Sequence, residues 1–169
     1  MNYNTPTTGN KDVQYMYFGN YGTTIGNVKG GTDKTDETSY IGGKWNTQKC
    51  LDACTKENKD LTNGVTNNSG TGYCAPACCC VAYSTPGTKS GDWYLPMPGE
   101  LYQIYVNRTA INEKRTAIKG SGFYDDVYWS SREYSSNEEY RVYIGNRVDS
   151  YSHWKDISGY VIGFLALEV

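Results

Sequence analysis

The feature that most constrains the fold is a run of alternating residues in the last third of the chain. In this run Tyr140, Val142 and Ile144 alternate with Arg141 and Tyr143. Alternation with a period of two is typical of a β-strand with one buried face, because successive side chains point to opposite faces. The pattern predicts that Tyr140, Val142 and Ile144 point inwards. It also predicts that Arg141 and Tyr143 are exposed.

The neighbouring segments predict how this strand is connected. Gly145-Asn146 follows it and predicts a two-residue hairpin turn. The nearly continuous apolar residues of 160–169 predict a buried closing strand. Helix-type spacing lies upstream instead, and predicts helices over 47–57, 77–83 and 98–107, with a continuation to about 118. Helices followed by antiparallel strands indicate the α+β class.

Length and charge narrow the classes of function. The 169 residues predict one domain, with a strand-and-loop segment over 1–44 that either belongs to this domain or marks a cut from a longer chain. The net charge of −2 gives no broad cationic field, which argues against nucleic acid as a partner. No apolar stretch approaches the roughly 20 residues of a membrane-spanning helix. The N-terminal residues do not resemble a signal peptide.

Six cysteines, at 50, 54, 74, 78, 79 and 80, leave three interpretations open. Four thiolates could bind zinc, although the usual C-x2-C pairs are missing and the single His153 is remote in sequence. Disulfides between the two clusters are a second interpretation, with 15 pairings for six cysteines. The third is that the cysteines act as small apolar residues on buried helix faces. We favour the third and predict no metal ligands and no cofactor.

Catalytic constellations are not evident. His153 lies among several acids and hydroxyl residues without a specific nucleophile, so we interpret it as a loop residue. The acidic pairs at 125–126 and 138–139 are adjacent, and adjacent strand residues face opposite ways. By contrast, 17 tyrosines occur with abundant Gly, Ser and Asn. This mixture is typical of binding surfaces, where Tyr supplies rigid contact area and the small polar residues supply hydrogen bonds.

Several short motifs, in order, resemble those of a known family. They are GKWNT at 43–47, GDWYLP at 91–96, GEL at 99–101, YWSS at 128–131 and EYSS at 133–136. Over about 42–169 the chain resembles the C-type-lectin-like variable proteins of diversity-generating retroelements, found on bacterial surfaces and in phage tails. The resemblance implies a C-type-lectin-like fold of two main helices, small antiparallel sheets and long loops, over 45–169. It implies a location in a phage tail or on a bacterial surface.

The resemblance also implies a function. In this family a C-terminal strand-and-loop surface, here about 128–164, is diversified by mutagenesis and binds a protein or glycan on a host or target cell. It is compatible with a homo-oligomer, such as a trimer formed through the parent protein. The positions implied for ligand binding follow the YWSS motif and are Arg132, Tyr134, Glu138, Tyr140, Arg141, Tyr143, Arg147, Asp149, Tyr151, His153, Trp154 and Asp156.

Two alternatives remain beside this non-enzymatic recognition domain. The fold family includes formylglycine-generating enzymes, so a metal- or thiol-dependent enzyme using the cluster from Cys50 to Cys80 is one alternative. These enzymes use a reactive cysteine pair near the C-terminal region, and no cysteine follows Cys80 here. The other alternative is a structural assembly domain of a virion or fibre.

Overall fold

The computed structural model describes residues 14–31, 42–56, 74–117 and 122–165, and within them it confirms the α+β class. The described helices are four rather than the two main helices expected: α1 (Gly43–Lys56), α2 (Ala75–Ala82), α3 (Pro98–Val106) and α4 (Arg108–Ala117). The described strands are β1 (Gln14–Tyr17), β2 (Trp93–Tyr94), β3 (Asp126–Glu133), β4 (Glu138–Ile144), β5 (Val148–Trp154), β6 (Ser158–Val161) and β7 (Phe164–Leu165).

One five-stranded sheet, in the order β1-β6-β3-β4-β5, forms the centre of the described structure. The strands β3, β4 and β5 form an antiparallel meander, and β6 pairs antiparallel with β1 and parallel with β3. The strands β2 and β7 form a separate small sheet. Because β1 pairs with β6, the described part of the N-terminal segment shares a sheet with the C-terminal strands.

The helix α3 begins where its sequence favours a helix start. Pro98 occupies the first turn, where its missing N–H costs no hydrogen bond. The carboxylate of Glu100 accepts the backbone N–H of Met97 at 2.6 Å and the hydroxyl of Tyr94 at 2.5 Å. Leu101 and the rest of the apolar face of α3 then pack against the sheet. Burial raises the pKa of the Glu100 carboxyl.

Two apolar clusters lie against the sheet. One joins α1, α2 and β1 around the fully buried Trp129, whose indole N–H donates to the carbonyl of Met16 at 2.9 Å. The other joins α3 to the fully buried Val142 and Ile144 of β4. The buried Val142 and Ile144 confirm the inner face that the alternation predicts for this strand.

Two sequence expectations are wrong in detail. The hairpin turn contains three residues, because Ile144 pairs with Val148 and the N–H of Gly145 donates to the carbonyl of Arg147. The closing strand is divided into β6 and β7, which belong to different sheets. The polar segment 59–71, for which the sequence also predicts a loop, lies outside the described residues. No described helix is long and apolar enough to span a bilayer.

Candidate ligand-binding surface

The β4–β5 hairpin brings together part of the predicted binding positions. Glu138 lies opposite Trp154, and Tyr140 lies opposite Ser152, so these four side chains share one face of the hairpin. The ring of Tyr134 meets the ring of Tyr140 edge-on, with centroids 5.6 Å apart. We call the patch formed by Tyr134, Glu138, Tyr140, Ser152 and Trp154 the aromatic surface.

The aromatic surface presents large rings to solvent. The exposed fraction is 58% for Tyr134 and 53% for Trp154, while Tyr140 is half-buried between them and the core. The hydroxyl of Ser152 donates to the carboxylate of Glu138 at 3.1 Å, which holds an acceptor beside the rings. Exposed Trp and Tyr flanked by polar groups are typical of binding sites rather than of inert surface.

Arg141 does not belong to an exposed surface, and that prediction is wrong. It is 5% exposed, and its guanidinium lies over the rings of Trp129 at 4.9 Å and Tyr151 at 5.5 Å. It also donates to the carbonyl of Ser158 at 3.2 Å. Burial lowers the pKa of this guanidinium. The alternation fails here because the sheet is covered on both faces at this point, and an arginine in contact with two rings and a carbonyl takes the place of an apolar residue, with its Nε left without a hydrogen-bond partner.

His153 lies on the same side of the hairpin as Arg141. Its ring meets Tyr151 and Trp154 edge-on, and its Nδ1 accepts the backbone N–H of Trp154 at 2.8 Å. Burial lowers the pKa of His153 most, and the nearby charge of Arg141 lowers it further. The imidazole is therefore an uncharged hydrogen-bond acceptor at neutral pH. The interpretation of His153 as a loop residue is wrong, because it lies within the strand β5.

The remaining predicted positions are dispersed. Tyr143 and Asp149 face each other towards the turn, where Arg147 is exposed. Arg132 lies in the irregular part of β3 and donates to the carbonyl of Gly30 at 3.2 Å. Asp156 follows β5 and is half-buried, with one buried carboxylate oxygen that lacks a hydrogen-bond partner.

The single lysine of this region, Lys155, is fully buried. Its ammonium donates to Glu133 Oε1 at 2.7 Å, and Glu133 also accepts the backbone N–H groups of Ile25 and Gly26 at 2.8 Å each. This ion pair therefore fixes the loop after β1 to the sheet. It also removes the only lysine from the surface between 132 and 156, so that surface is poorer in lysine than the sequence alone indicates.

A second buried carboxyl lies near this ion pair. Glu139 is fully buried and accepts the side-chain N–H of Asn27 at 2.7 Å. Burial raises the pKa of Glu139 well above its ordinary value, and the positive charge of Lys155 offsets only part of that rise. The position is structural rather than a ligand contact.

The described cysteines lie in the interior. Cys50, Cys74, Cys78 and Cys80 belong to the cluster around Trp129, and Cys79 packs against it. Burial raises the pKa of Cys79 to about 11 and raises that of Cys80 well above its ordinary value. Reactive cysteines have lowered pKa values, so this environment favours the packing interpretation over a catalytic thiol. No cluster of metal ligands occurs within the described residues, which do not include the Cys54 side chain.

Sequence reasoning missed one concave surface. It has a volume of about 500 Å³ and is formed by Lys29, Gly42, Lys44, Trp45 and Gln48. Trp45 is 40% exposed, and the ammonium groups of Lys29 and Lys49 lie 5.9 and 5.0 Å from its ring centroid. The sequence shows only a tryptophan just before the predicted helix over 47–57, and nothing in it brings Lys29 to the start of α1.

Comparison with known proteins supports the fold at the level of architecture. A solved structure of a fimbrial protein from Bacteroides ovatus superposes with a TM-score of 0.64 at 17% sequence identity. The similarity covers 93% of this chain but only 35% of the fimbrial protein, so the chain spans about a third of that neighbour. No family model and no curated protein matches the chain.

Proposed function

We propose that this chain is a non-enzymatic recognition domain that binds a protein or glycan on a host or target cell. The aromatic surface is the contact region in this proposal. Tyr134 and Trp154 would supply the main contact area, while Glu138 and Ser152 would supply hydrogen bonds. The predicted positions Asp149 and His153 lie on the other face of the hairpin and Arg147 lies in its turn, so they are outside this contact region.

The observation that carries the proposal is the exposure of Tyr134 and Trp154 beside a half-buried Tyr140. Burying a large aromatic side chain stabilises a complex by about 1.5–3 kcal/mol, so a folded protein rarely leaves two such rings in one patch without a binding role. The burial of Lys155 supports the same conclusion, because lysine is depleted at binding interfaces.

The fimbrial protein is a surface appendage component by its name, and its similar architecture supports a location on a bacterial surface for this chain. A phage tail remains the other location that the retroelement family would imply. We further propose that retroelement mutagenesis diversifies exposed positions within about 128–164. Buried residues such as Trp129, Arg141 and Lys155 should then be constant among variants, while Tyr134, Tyr140 and Trp154 should vary. Sequencing the gene's neighbourhood for a template repeat and a reverse transcriptase tests this part.

Binding can be tested with fluorescently labelled protein on an array of defined glycans and on a panel of whole bacterial and animal cells. The double variant Tyr134→Ala/Trp154→Ala should lose at least tenfold in binding and keep the melting temperature of the wild type. The control is Trp45→Ala, which removes an exposed tryptophan from the other concave surface. Equal binding by the wild type and the double variant would overturn the proposal, and loss in the Trp45 variant alone would move the site to that second surface.

A structural role in a fibre is the second candidate, and the name of the fimbrial neighbour is the observation that favours it. In that case the same aromatic surface would contact another subunit of the fibre instead of a target cell. Electron microscopy of the assembled parent protein distinguishes the two roles. Rings found at subunit contacts indicate assembly, and rings found at the outer surface indicate recognition.

A further inference from the structure

The strand β5 forms an edge of the sheet among the described strands. It is paired with β4 without interruption, from Glu138 opposite Trp154 to Ile144 opposite Val148. Monomeric proteins protect edge strands with charged side chains, above all lysine, and with proline or a bulge. The sequence of β5, VDSYSHW, has no lysine and no proline, its pairing with β4 has no bulge, and its one acidic residue is Asp149.

The hydrogen bonds at the two ends of the hairpin show which backbone groups point outwards. The N–H of Gly145 donates to Arg147 at the turn, and the N–H of Lys155 donates to Asn137 at the open end. Backbone groups alternate in direction along a strand, so the odd-numbered residues of β5 face β4. The N–H and C=O groups of its even-numbered residues, Val148, Ser150, Ser152 and Trp154, therefore point away from the sheet.

Two of these outward N–H groups are bonded to side chains of the strand itself. The N–H of Ser150 donates to Asp149 Oδ1 at 3.0 Å, and that of Trp154 donates to His153 Nδ1 at 2.8 Å. Because each of these bonds joins neighbouring residues, it can be exchanged for a bond to an added strand. The order of the side chains along β5 then determines the register in which a second strand would pair with it.

We propose that two copies of this chain pair antiparallel through β5, about a two-fold axis at Tyr151. In this register Asp149 lies opposite the partner's His153, so an acid faces an imidazole twice. Val148 lies opposite the partner's Trp154, so in each of the two symmetric pairs these apolar side chains cover one another. Ser150 lies opposite the partner's Ser152, where two small side chains let the strands approach. The strand is complementary to itself in this register, and a two-fold interface requires such self-complementarity.

The backbone supports the same register. The pairs of Val148 with the partner's Trp154 and of Ser150 with the partner's Ser152 bring outward groups of both strands together. Each such pair exchanges two hydrogen bonds, so the four symmetric pairs form about eight, in two of which the Trp154 carbonyl, which also accepts the N–H of Ile157 at 3.4 Å, is the acceptor. Tyr151 and the Asp149–His153 pairs then occupy the non-hydrogen-bonded positions, where the Cα atoms are about 4.5 Å apart and side chains are closest.

This pairing would join two five-stranded sheets into one continuous sheet. Trp154 belongs both to this interface and to the aromatic surface, so pairing would cover part of its ring and leave Tyr134 and Tyr140 on the open face of the sheet. The arrangement differs from the trimer that the family resemblance is compatible with. It does not depend on the proposed ligand-binding function, because it rests on the edge of β5 alone.

The association can be measured by sedimentation velocity of the full chain over a range of concentrations. We expect a monomer–dimer equilibrium in the wild type. Ser152→Pro removes an outward N–H without breaking a bond to β4, so it should weaken dimerisation at least tenfold while the circular dichroism spectrum is unchanged. The matched control, Ser152→Thr, keeps the N–H and the hydroxyl and should dimerise as the wild type does. A wild type that stays monomeric at all concentrations overturns the proposal.

Added charges test the register even if the proline variant fails to fold. His153→Asp places two aspartates opposite each other twice and should weaken the dimer at least tenfold. Adding Asp149→Lys to this variant places opposite charges across the interface and should restore the dimer. A dimer that neither change affects is formed by another surface, and that result refutes the pairing through β5.

Cross-linking tests the axis directly. Tyr151→Cys places two thiols across the two-fold axis at a non-hydrogen-bonded pair, a separation within the range for a disulfide. Mild oxidation of this variant should give a covalent dimer on a non-reducing gel. Asn146→Cys, in the exposed hairpin turn, is the control and should remain monomeric. Equal cross-linking of both variants, or none at Tyr151, contradicts the proposed axis.

Discussion

The buried ion pair between Lys155 and Glu133 gives the strongest prediction for folding. The two side chains are 0% and 2% exposed, and their charged atoms are 2.7 Å apart. The ammonium also donates to the carbonyls of Thr23 and Ser136 at 3.2 and 3.3 Å. Three donors of one lysine thus connect the loop after β1, the end of β3 and the β3–β4 turn. The position of the aromatic surface depends on these three segments.

The change to make is Lys155→Met, which keeps the length of the side chain and removes its charge. Glu133 then stays buried with its two backbone N–H donors but without a cation, and the carbonyls of Thr23 and Ser136 lose their donor. Removing one partner of a buried ion pair costs about 3–5 kcal/mol. We expect a loss of that size in the free energy of unfolding, measured by urea denaturation at neutral pH.

Two further variants make the measurement specific. Lys114→Met removes an exposed lysine from α4 and should change the free energy of unfolding by less than about 0.5 kcal/mol. The double variant Lys155→Met/Glu133→Gln removes both charges of the ion pair, so its loss should be smaller than the sum of the single losses. If Lys155→Met lost less than about 1 kcal/mol, the lysine would be solvated in solution and the reasoning from burial would be refuted.

Three other predictions concern the interior around this surface. Arg141→Lys should lose about 2 kcal/mol in the free energy of unfolding, because an ammonium cannot lie flat over both Trp129 and Tyr151; an unchanged urea midpoint would refute this. Cys79, with a pKa near 11, should resist iodoacetamide at about pH 7.5 in the native protein and react fully in denaturant, as read by mass spectrometry. Burial raises the pKa of Glu139, so native stability should fall as pH rises above the ordinary carboxyl value of 4.5. Glu139→Gln should therefore be more stable than the wild type at about pH 7 and lose this advantage below about pH 4, in urea titrations at both pH values.

The sequence predicted the elements that depend on local patterns. The helix near 98–107 follows from Pro98, Glu100 and an apolar face, and the structure places α3 at Pro98–Val106. The period of two in β4 predicted the buried Val142 and Ile144. These signals are local because capping and alternation involve residues only a few positions apart.

The features that the sequence did not predict depend on distant partners. Arg141 was expected at the surface, and it is buried because Trp129 and Tyr151 lie on either side of it. Lys155 is buried because Glu133, 22 positions away, is also inside. A single sequence shows the polar character of these residues but not the partner that makes burial favourable.

Tyr134 and Trp154 were expected to be exposed, and they are.

The most direct test of the recognition proposal separates folding from binding at every position. A library of all single substitutions from 128 to 156, displayed on yeast, can be sorted once for folded expression and once for capture of a ligand found on the cell or glycan panel. We predict that substitutions at Tyr134 and Trp154 keep expression and lose capture, while substitutions at Arg141 and Lys155 lose expression. Loss of expression at Tyr134 and Trp154, or capture unaffected by their replacement, would contradict the account.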